Sequence, residues 1–439
     1  MSESVGGRRV NGQRLAIATL GGPTAVLNAT VEGFMLEARH YGQAVGVRDG
    51  PMGLAAGQFC ELEGNSGFIA DVKRPGSWLA AGRHLLSDDE IDGGLQRLAA
   101  QGVSGLAVVG GNGTMAYCQR LLSRAESIGI PVRVVGVPKT IDNDLCGTDH
   151  SPGFASAATF VVEMVTDLAF DHRAMRSIEQ VRIIETLGRN SGWLALSSLL
   201  ARRSTGSEPH LVYLPERPFD EGQFLDQVNQ QVSTNGQALV VVAEGAAANL
   251  VDDRFERVAF DRPIEGGVAR VLADRLRDAL GLTVRAEVPG LIQRCSSRHV
   301  SVRDRREAAA VGGEAARLLA SGHTGVMVTL GRHTEAGLPS SAAAEGFGSG
   351  SRPNARSDGD LGKVRLSDVA GRTRRVPPEW VPASAAADSP AFVAWLAELL
   401  SSEMMVCTAE AGRKVSSRHN SGSLDERVGS EGAISDVSI

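Results

Sequence analysis

Short apolar segments alternate with longer amphipathic ones along most of this 439-residue chain. The apolar segments are rich in Val, Ile, Leu and Ala, which is typical of buried strands. They occur at 14–19, 44–48, 105–109, 132–137, 181–186, 211–214, 238–243, 283–288 and 325–329. Segments with helical periodicity lie between them, for example at 88–100, 154–170 and 268–280. This alternation predicts an α/β fold in which mostly parallel sheets are sandwiched by helices.

A strongly polar segment, PKTIDND at 138–144, directly follows the apolar segment 132–137. In open α/β sheets, ligands bind outside the carboxyl ends of the strands. Asp142 and Asp144 are two residues apart, so in an extended chain they share a face and can serve as a base and a metal ligand respectively. Lys139 adds a positive charge for phosphate. A polar turn that only caps the next helix is the alternative interpretation.

Two glycine-rich turns follow other predicted strands. GGNGT at 110–114 lies between an apolar run and a helical segment, and LGGP at 20–23 has the same context. Glycine lets the backbone approach a phosphate closely, and a helix N-terminus presents unpaired N–H groups to it. One such turn is usually only a tight turn. Two of them, together with Lys139, predict a site for a diphosphate-like ligand.

Composition and charge exclude several classes of protein. The net charge is −6, so the overall charge gives no reason to expect a nucleic-acid partner. The five cysteines have neither metal-binding spacing nor a close pair, which is typical of a reducing compartment. No apolar run approaches the ~18 residues of a membrane span, and residues 1–14 lack the apolar core of a secretory signal. The sequence therefore predicts a cytoplasmic protein with no nucleic-acid or membrane partner.

A series of motifs extends this pattern along the chain. In order, they are the Gly21-Gly22 turn, RPGS at 74–77 with GR at 82–83, GGNGT at 110–114, PKTIDND at 138–144, TLGR at 186–189, LPE at 214–216 and IQR at 292–294. In this series the chain resembles the phosphofructokinase superfamily of ATP- and pyrophosphate-dependent enzymes over roughly 14–335, and it is closest to the pyrophosphate-dependent branch. NAD and lipid kinases also have glycine-rich phosphate loops, but they lack these motifs at these spacings.

The resemblance implies a two-lobed α/β fold with the active site in the cleft between the lobes. The implied segments are a phosphoryl-donor lobe at 14–152 joined by part of 293–335, a sugar-phosphate lobe at 153–292, and a stretch packed on the body at 360–402. By composition, the Ser/Ala/Gly-rich segment 339–359 is predicted to be a flexible insertion and 405–439 a disordered tail.

The resemblance also assigns roles to single residues. Asp142 would be the general base that takes the proton from the sugar hydroxyl, with Thr140, Arg83 and Lys139 as catalytic neighbours. Mg²⁺ is the implied cofactor, with Asn112 and Asp144 as its ligands. The donor would be bound by Gly21, Gly22, Gly111, Asn112, Gly113, Thr114 and Lys139. The sugar phosphate would be bound by Thr140, Asp142, Leu187, Gly188, Arg189, Glu216, Arg285 and Arg294.

The distal phosphate of the sugar would lie between Arg285 and Arg294, because guanidinium groups pair bidentately with phosphate oxygens. In the family, one such arginine comes from a neighbouring subunit. The resemblance therefore implies a homodimer or homotetramer.

The choice of donor depends on positions where the chain departs from the family pattern. Lys139 replaces a Gly of bacterial ATP-dependent enzymes, and its ammonium group favours pyrophosphate. Pro51 stands in place of a tyrosine beside the nucleotide, which also disfavours ATP. Gly113 favours ATP, because a bulkier Asp there blocks the α-phosphate. Asn112 replaces a magnesium-binding Asp, so the metal site loses one charge.

The acceptor is less constrained, because Leu291 and Gln180 replace a substrate-contacting His and a phosphate-binding Arg. The leading prediction is a phosphotransferase that moves a phosphoryl group from pyrophosphate to the 1-hydroxyl of fructose 6-phosphate in glycolysis. One alternative is an ATP-dependent kinase of the same fold for fructose 6-phosphate, another sugar phosphate or a secondary metabolite. A catalytically silent regulatory paralogue, suggested by Asn112, is the other.

Overall fold

The computed structural model describes residues 12–65, 74–202, 210–250, 267–331 and 360–400. The insertion predicted at 339–359 and the tail predicted at 405–439 lie outside these residues. Within the described ranges, no helix is both long enough and apolar enough to cross a membrane.

The strands of this part of the chain confirm all nine predicted segments to within a few residues. They are β1 (Gln13–Thr19), β2 (Gly42–Val47), β3 (Phe59–Glu61), β4 (Val103–Gly110), β5 (Arg133–Pro138), β6 (Val181–Thr186), β7 (Leu211–Tyr213), β8 (Ala238–Ala243), β9 (Val284–Glu287), β10 (Val326–Leu330) and β11 (Leu361–Arg365). The sequence pattern does not predict β3 and β11, because both are short edge strands with mostly half-exposed side chains and no continuous apolar run.

The helices confirm the predicted periodic segments. They are α1 (Leu27–Ala38), α2 (Gly50–Ala56), α3 (Asp88–Ala100), α4 (Asn112–Ser127), α5 (Phe154–Ala174), α6 (Trp193–Ser197), α7 (Glu221–Asn235), α8 (Val268–Leu280), α9 (Ile292–Cys295), α10 (Val302–Ala320), α11 (Leu366–Val369) and α12 (Pro390–Leu399). The start of α3 is fixed by a capping box. The side chain of Ser87 accepts a hydrogen bond from the backbone N–H of Glu90, and the side chain of Glu90 accepts one from the backbone N–H of Ser87.

The strands form two sheets. The first has the order β11-β10-β5-β4-β1-β2-β3 and is parallel except at its two edges, where β11 and β3 run antiparallel. The second has the order β7-β8-β6-β9 and is parallel throughout. β10 follows the second sheet in sequence but pairs with β5, so the chain returns to the first sheet. The predicted α/β fold is therefore confirmed, whereas the assignment of a donor lobe and a sugar-phosphate lobe stays a proposal.

Both faces of the first sheet are covered by helices. On β1, Leu15 and Ile17 pack on one face with Phe34 of α1. Ala16 packs on the opposite face with Met115 of α4. Alternate side chains of a strand point to opposite faces, so a strand buried on both sides needs a nearly continuous apolar run. This requirement explains why the first strands are so readily recognised in the sequence.

Two glycines bring α1 close to α10. A Cβ atom on Gly33 would collide with the carbonyl oxygen of Ala309, and a Cβ on Gly312 would collide with that of Thr30. The backbones of the two helices therefore meet directly. Because α1 follows the Gly21-Gly22 turn, this contact fixes the position of the turn relative to the sheet.

Residues 360–400 pack onto the same core. β11 extends the first sheet, and α12 places Phe392 and Trp395 against Trp193 of α6, with ring centroids 6.1 and 5.6 Å apart. Trp395 also packs on Phe154 at the start of α5, with centroids 5.9 Å apart. Aromatic side chains bury large apolar areas, so this cluster attaches the C-terminal stretch firmly to the rest of the chain.

Candidate active site

Loops from both sheets meet at the carboxyl ends of five strands. The loops after β1, β4 and β5 come from the first sheet, and the loops after β6 and β8 come from the second. Lys139 N donates a hydrogen bond to Gly110 O (3.0 Å), which joins two loops of the first sheet. Ser191 Oγ donates to Asp142 O (3.0 Å) and joins the two sheets. This is the location that the sequence predicts for a ligand.

Three cationic side chains gather at the turn after β1. Lys139 Nζ is buried and donates hydrogen bonds to Leu20 O (2.9 Å) and Gly22 O (2.7 Å). The guanidinium groups of Arg83 and Arg294 lie against Gly22, since a Cβ on that glycine would collide with Arg294 and lie 3.2 Å from Arg83 Nη2. Such a concentration of positive charge suits a phosphate group, which accepts charge-assisted hydrogen bonds from several donors.

Burial and these charges together shift the pKa values of the site. Burial, followed by Arg83 and Arg294, lowers the pKa of Lys139 to about 7. Burial, followed by Asp144, raises the pKa of the Asp142 carboxyl, and the neighbouring cations oppose this shift. A carboxylate whose pKa is raised toward neutrality is a better proton acceptor, as a general base requires.

The loops after β4 and β5 contact each other around Thr140. Thr140 Oγ1 accepts a hydrogen bond from Asp142 N (3.1 Å). A Cβ on Gly111 would lie 3.6 Å from Thr140 Cβ, so the glycine turn reaches this side chain. Thr114 is buried and its N–H donates to Gly111 O (2.9 Å), whereas Gly113 is exposed. The predicted donor-binding residues of these two loops therefore lie together.

Asn112 and Asp144 are brought together, as the magnesium hypothesis requires. Asn112 Nδ2 donates to Asp144 Oδ2 (2.7 Å) and to Asp144 O (3.0 Å). Among the described residues, Asn112 Oδ1 is buried without a hydrogen-bond partner. An orphaned amide oxygen beside a carboxylate provides the hard oxygen ligands that Mg²⁺ prefers, so these residues fit the ion.

The protein supplies few ligands for this ion. In the described parts of the chain, no three His, Cys, Asp or Glu side chains are grouped as a metal site. Mg²⁺ is commonly bound by one or two carboxylates together with waters and substrate phosphates. The ion would therefore depend on the oxygens of the phosphoryl donor, and it would supply charge neutralisation there.

The loop after β6 faces Asp142 from the second sheet. The positive charge of Arg189 acts on Asp142 and opposes the rise of its pKa. Leu187 N donates to Gln293 Oε1 (3.0 Å), which ties this loop to α9. Gly188 has a φ of +133°, a backbone conformation that favours glycine. The predicted Leu187–Gly188–Arg189 loop is thus next to the predicted base.

Glu216 is engaged by the backbone. Its carboxylate accepts hydrogen bonds from Gly192 N (3.0 and 3.1 Å) and from Val376 N (3.0 Å). These bonds fix the start of α6 and a C-terminal segment. The role of Glu216 in binding sugar hydroxyls stays a prediction.

The sequence analysis overlooks Glu244, which directly follows β8. This side chain is buried, and its Oε1 accepts a long hydrogen bond from Gly188 N (3.4 Å). Burial, followed by Asp142, raises the pKa of Glu244 to about 8, and Arg189 opposes this shift. The rule that located Asp142, a polar residue at the end of a buried strand, applies equally to Glu244.

Arg285 and Arg294 occupy different places within one chain. Arg294 lies at Gly22, whereas Arg285 Nε pairs with Glu179 (3.0 Å), which precedes β6. The side chain of Arg285 is 59% exposed. A single copy of the chain does not join the two guanidinium groups at one phosphate, so their predicted cooperation requires a second copy.

Gly22→Ala should weaken pyrophosphate binding without unfolding the protein. The new Cβ displaces the mobile end of Arg294, so the backbone keeps its place while one charge–phosphate contact is lost. Such a contact contributes about 1.5–3 kcal/mol, which corresponds to about a tenfold or larger rise in Kd. Calorimetric titration with pyrophosphate measures the Kd, and thermal melting measures the Tm.

Gly222→Ala is the matched control, because a Cβ there meets only Asp220 Oδ1 at 3.4 Å. It should leave both quantities close to their wild-type values. A wild-type pyrophosphate Kd in Gly22→Ala would contradict the assignment of this turn to the phosphate.

Comparison with known proteins agrees with the geometry. The family model for phosphofructokinase matches residues 14–319. The chain is 37% identical to the sulfofructose kinase of Alkalicoccus urumqiensis, over 73% of this chain and 84% of that protein. It is 34% identical to the pyrophosphate--fructose 6-phosphate 1-phosphotransferase of Xanthomonas campestris pv. campestris (strain B100), over 73% of this chain and 80% of that protein.

A solved structure has the same fold. The pyrophosphate-dependent phosphofructokinase from Nitrosospira multiformis is similar with a TM-score of 0.74 at 26% sequence identity, covering 88% of this chain and 92% of that chain. The motif order, the two mostly parallel sheets and these similarities lead to one conclusion: the chain belongs to the phosphofructokinase family.

Proposed function

We propose that this family member moves a phosphoryl group from pyrophosphate to the 1-hydroxyl of fructose 6-phosphate, with Mg²⁺ as cofactor. The observation that carries the proposal is the buried Lys139 amino group beside Arg83 and Arg294 at the Gly22 turn. An anion bound there would favour the charged form of this amino group, which burial disfavours. Pyrophosphate concentrates its negative charge in two adjacent phosphoryl groups, so three close cations neutralise it efficiently. ATP spreads its charge along three phosphates and also needs room for adenosine.

One position, Gly113, favours the ATP-dependent alternative. Gly113 is exposed and adds no side chain at the start of α4, so a longer donor meets no obstacle there. The charge at Lys139 and the space at Gly113 thus favour different donors. A direct comparison of the two donors decides between them.

The proposed reaction uses the residues on both sides of the cleft. Asp142 accepts the proton of the sugar 1-hydroxyl, and the hydroxyl oxygen attacks the nearer phosphorus atom of pyrophosphate. The bridging P–O bond breaks, and inorganic phosphate leaves toward Lys139. Arg83 and Arg294 stabilise the charge on the phosphoryl oxygens during the transfer, where positioning and electrostatics dominate the chemistry. Asn112 and Asp144 would hold the magnesium ion, which neutralises donor charge when bound.

Asp142→Asn should lower kcat by about 10²–10⁴, the usual contribution of a general base. The amide fills the same volume but accepts no proton, so the affinity for both substrates should change little. Asp144→Asn is the matched comparison, because it should raise the Mg²⁺ concentration needed for half-maximal rate. Steady-state kinetics with varied Mg²⁺ separates the two effects. An Asp142→Asn enzyme within about threefold of wild-type kcat would refute the base assignment.

We propose a homo-oligomer in which the acceptor's distal anion is bound across the interface. Arg294 is engaged at the Gly22 turn, on the donor side of the cleft. Arg285 is largely exposed and lies at the other end of β6, so within one chain neither arginine is placed to bind the distal anion. A second copy that presents Arg285 to this cleft would supply the guanidinium group that one chain lacks.

A second acceptor, sulfofructose, is favoured by the region around Gln180. Gln180 Oε1 accepts a hydrogen bond from Thr283 N (3.0 Å) and brings no charge to the position of a phosphate-binding arginine. Arg182 is buried and held by Glu179 (2.6 Å) and Asp171 (2.6 Å). A sulfonate carries one negative charge, whereas a phosphate monoester carries about −1.5 to −2 at pH 7. The absence of one cation therefore lowers the affinity for a sulfonate less than it lowers the affinity for a phosphate.

The test of the proposed function is a matrix of two donors and two acceptors. Purified protein is assayed with pyrophosphate or ATP and with fructose 6-phosphate or sulfofructose, and kcat/KM is measured for each pair. The proposal expects the highest kcat/KM with pyrophosphate and fructose 6-phosphate. A higher kcat/KM with ATP would overturn the donor, and a higher one with sulfofructose would overturn the acceptor.

Gln180 directly precedes β6, at the opposite end of the strand from the cleft, so like Arg285 it would reach the acceptor from a second copy. Gln180→Arg tests the acceptor independently of the wild-type preference. The added guanidinium group should raise kcat/KM for fructose 6-phosphate about tenfold relative to sulfofructose, because the dianion gains more from the charge. Gln180→Glu, which adds the opposite charge, should shift the ratio the other way. An unchanged ratio in both variants would show that this position does not contact the acceptor's anion.

A further inference from the structure

A C-terminal segment, residues 373–376, contacts the loop that carries the predicted base and metal ligand. Arg374 N donates a hydrogen bond to Asp144 O (2.7 Å). Thr373 forms an antiparallel bridge with Leu145. The segment is therefore paired with the end of the PKTIDND motif, although it lies about 230 residues later in the sequence.

The same segment contacts the second sheet's side of the cleft. Val376 N donates to Glu216 Oε1 (3.0 Å), and Trp193 Nε1 donates to Arg374 O (3.4 Å). Residues 373–376 thus bond to loops from both sheets.

The guanidinium group of Arg374 lies between these loops. Its central carbon lies over the ring of Trp193, 4.3 Å from the centroid, which is a close cation–π contact. Its Nη1 donates to Asn143 O (3.4 Å). Asp149 acts on its charge more strongly than Asp144 does. The side chain is therefore fixed by an aromatic ring on one side and by the Asn143 backbone on the other.

Asn143 adopts an uncommon backbone conformation, although asparagine tolerates it better than most residues do. Its φ is +52°, in the left-handed region that residues other than glycine rarely adopt. The residue is fully buried, and its Oδ1 accepts a hydrogen bond from Ser151 N (3.1 Å). Strained conformations persist only where the surrounding structure determines them, and they cluster at functional sites. Arg374 bonds to the carbonyl oxygen of this residue, directly before Asp144.

We propose that Arg374 is a positioning residue for Asp144. By bonding Asn143 O and Asp144 O from outside the loop, it holds the Asp144 carboxylate beside Asn112, where the donor's magnesium is to bind. The inference rests on the proposed function only in taking Asn112 and Asp144 as the magnesium ligands. Arg374 acts through the loop and not on the substrate.

The test compares Arg374→Met with the wild type. Methionine keeps an unbranched side chain and the backbone N–H bond to Asp144 O. It removes the charge, with its contact to Trp193, and the bond to Asn143 O. Mn²⁺ serves as the probe, with methylenebisphosphonate as an unreactive analogue of pyrophosphate. Electron paramagnetic resonance measures the Mn²⁺ Kd, which should rise about tenfold or more. In steady-state assays, the Mg²⁺ requirement should rise while the acceptor KM stays within about twofold.

Three further variants sharpen the test. Arg372→Met removes an exposed charge two residues away and should leave the Mn²⁺ Kd unchanged. Arg374→Lys keeps the charge but loses the planar group, so it should show a smaller shift in the same direction. This variant decides the question if Arg374→Met does not fold. In an Asp144→Asn background, Arg374→Met should add little, because residues that act through one another are not additive.

A wild-type Mn²⁺ Kd in both Arg374 variants would overturn the inference, as would an equal shift in Arg372→Met. A fully additive effect in the double variant would overturn it as well. Failure of the wild type itself to bind Mn²⁺ with the analogue would instead contradict the proposed magnesium site. The two hypotheses thus fail in different ways.

Discussion

The rest of the site depends on one buried charge, the ammonium group of Lys139. Burying a charge is unfavourable by several kcal/mol, because the group loses its hydration, unless hydrogen bonds compensate for the loss. Here the carbonyl oxygens of Leu20 and Gly22 provide these bonds. Lys139 follows β5 and the two carbonyls follow β1, while β4 lies between those strands. The lysine therefore links loops that are not neighbours in the sheet, and it fixes the turn against which Arg83 and Arg294 lie.

The same arrangement stores electrostatic repulsion in the protein without its substrates. Burial is the largest cause of the lowered pKa of Lys139, and repulsion by Arg83 and Arg294 lowers this pKa further. Asp142 reduces this repulsion only in part. A phosphoryl donor would reverse the sign of the interaction, so binding and stability are coupled at this turn. The effect is local, because the chain as a whole has a net charge of −6.

The sequence predicts those parts of the structure that depend on local patterns. Strands buried on both faces need continuous apolar runs, and polar loops after such runs mark the cleft, which is how Lys139 and Asp142 are found. The edge strand β11 and the residue Glu244 are missed for different reasons: the strand has no apolar run, and the glutamate stands alone after β8. The partner of Arg285, Glu179, depends on how β9 packs beside β6, which no local pattern specifies.

Arg374 shows most clearly why a motif does not by itself define a site. The PKTIDND segment carries the proposed base and metal ligand, and its Asn143 adopts a left-handed backbone conformation that few residues other than glycine and asparagine tolerate. The bonds that hold this conformation come partly from residues 373–376, outside the 14–319 region that the family model matches. Substitutions in the C-terminal stretch are therefore expected to alter the proposed metal site while the motif stays intact. Two chains with the same PKTIDND segment will present the same carboxylates in the same geometry only if they also share the contacts that support Asn143.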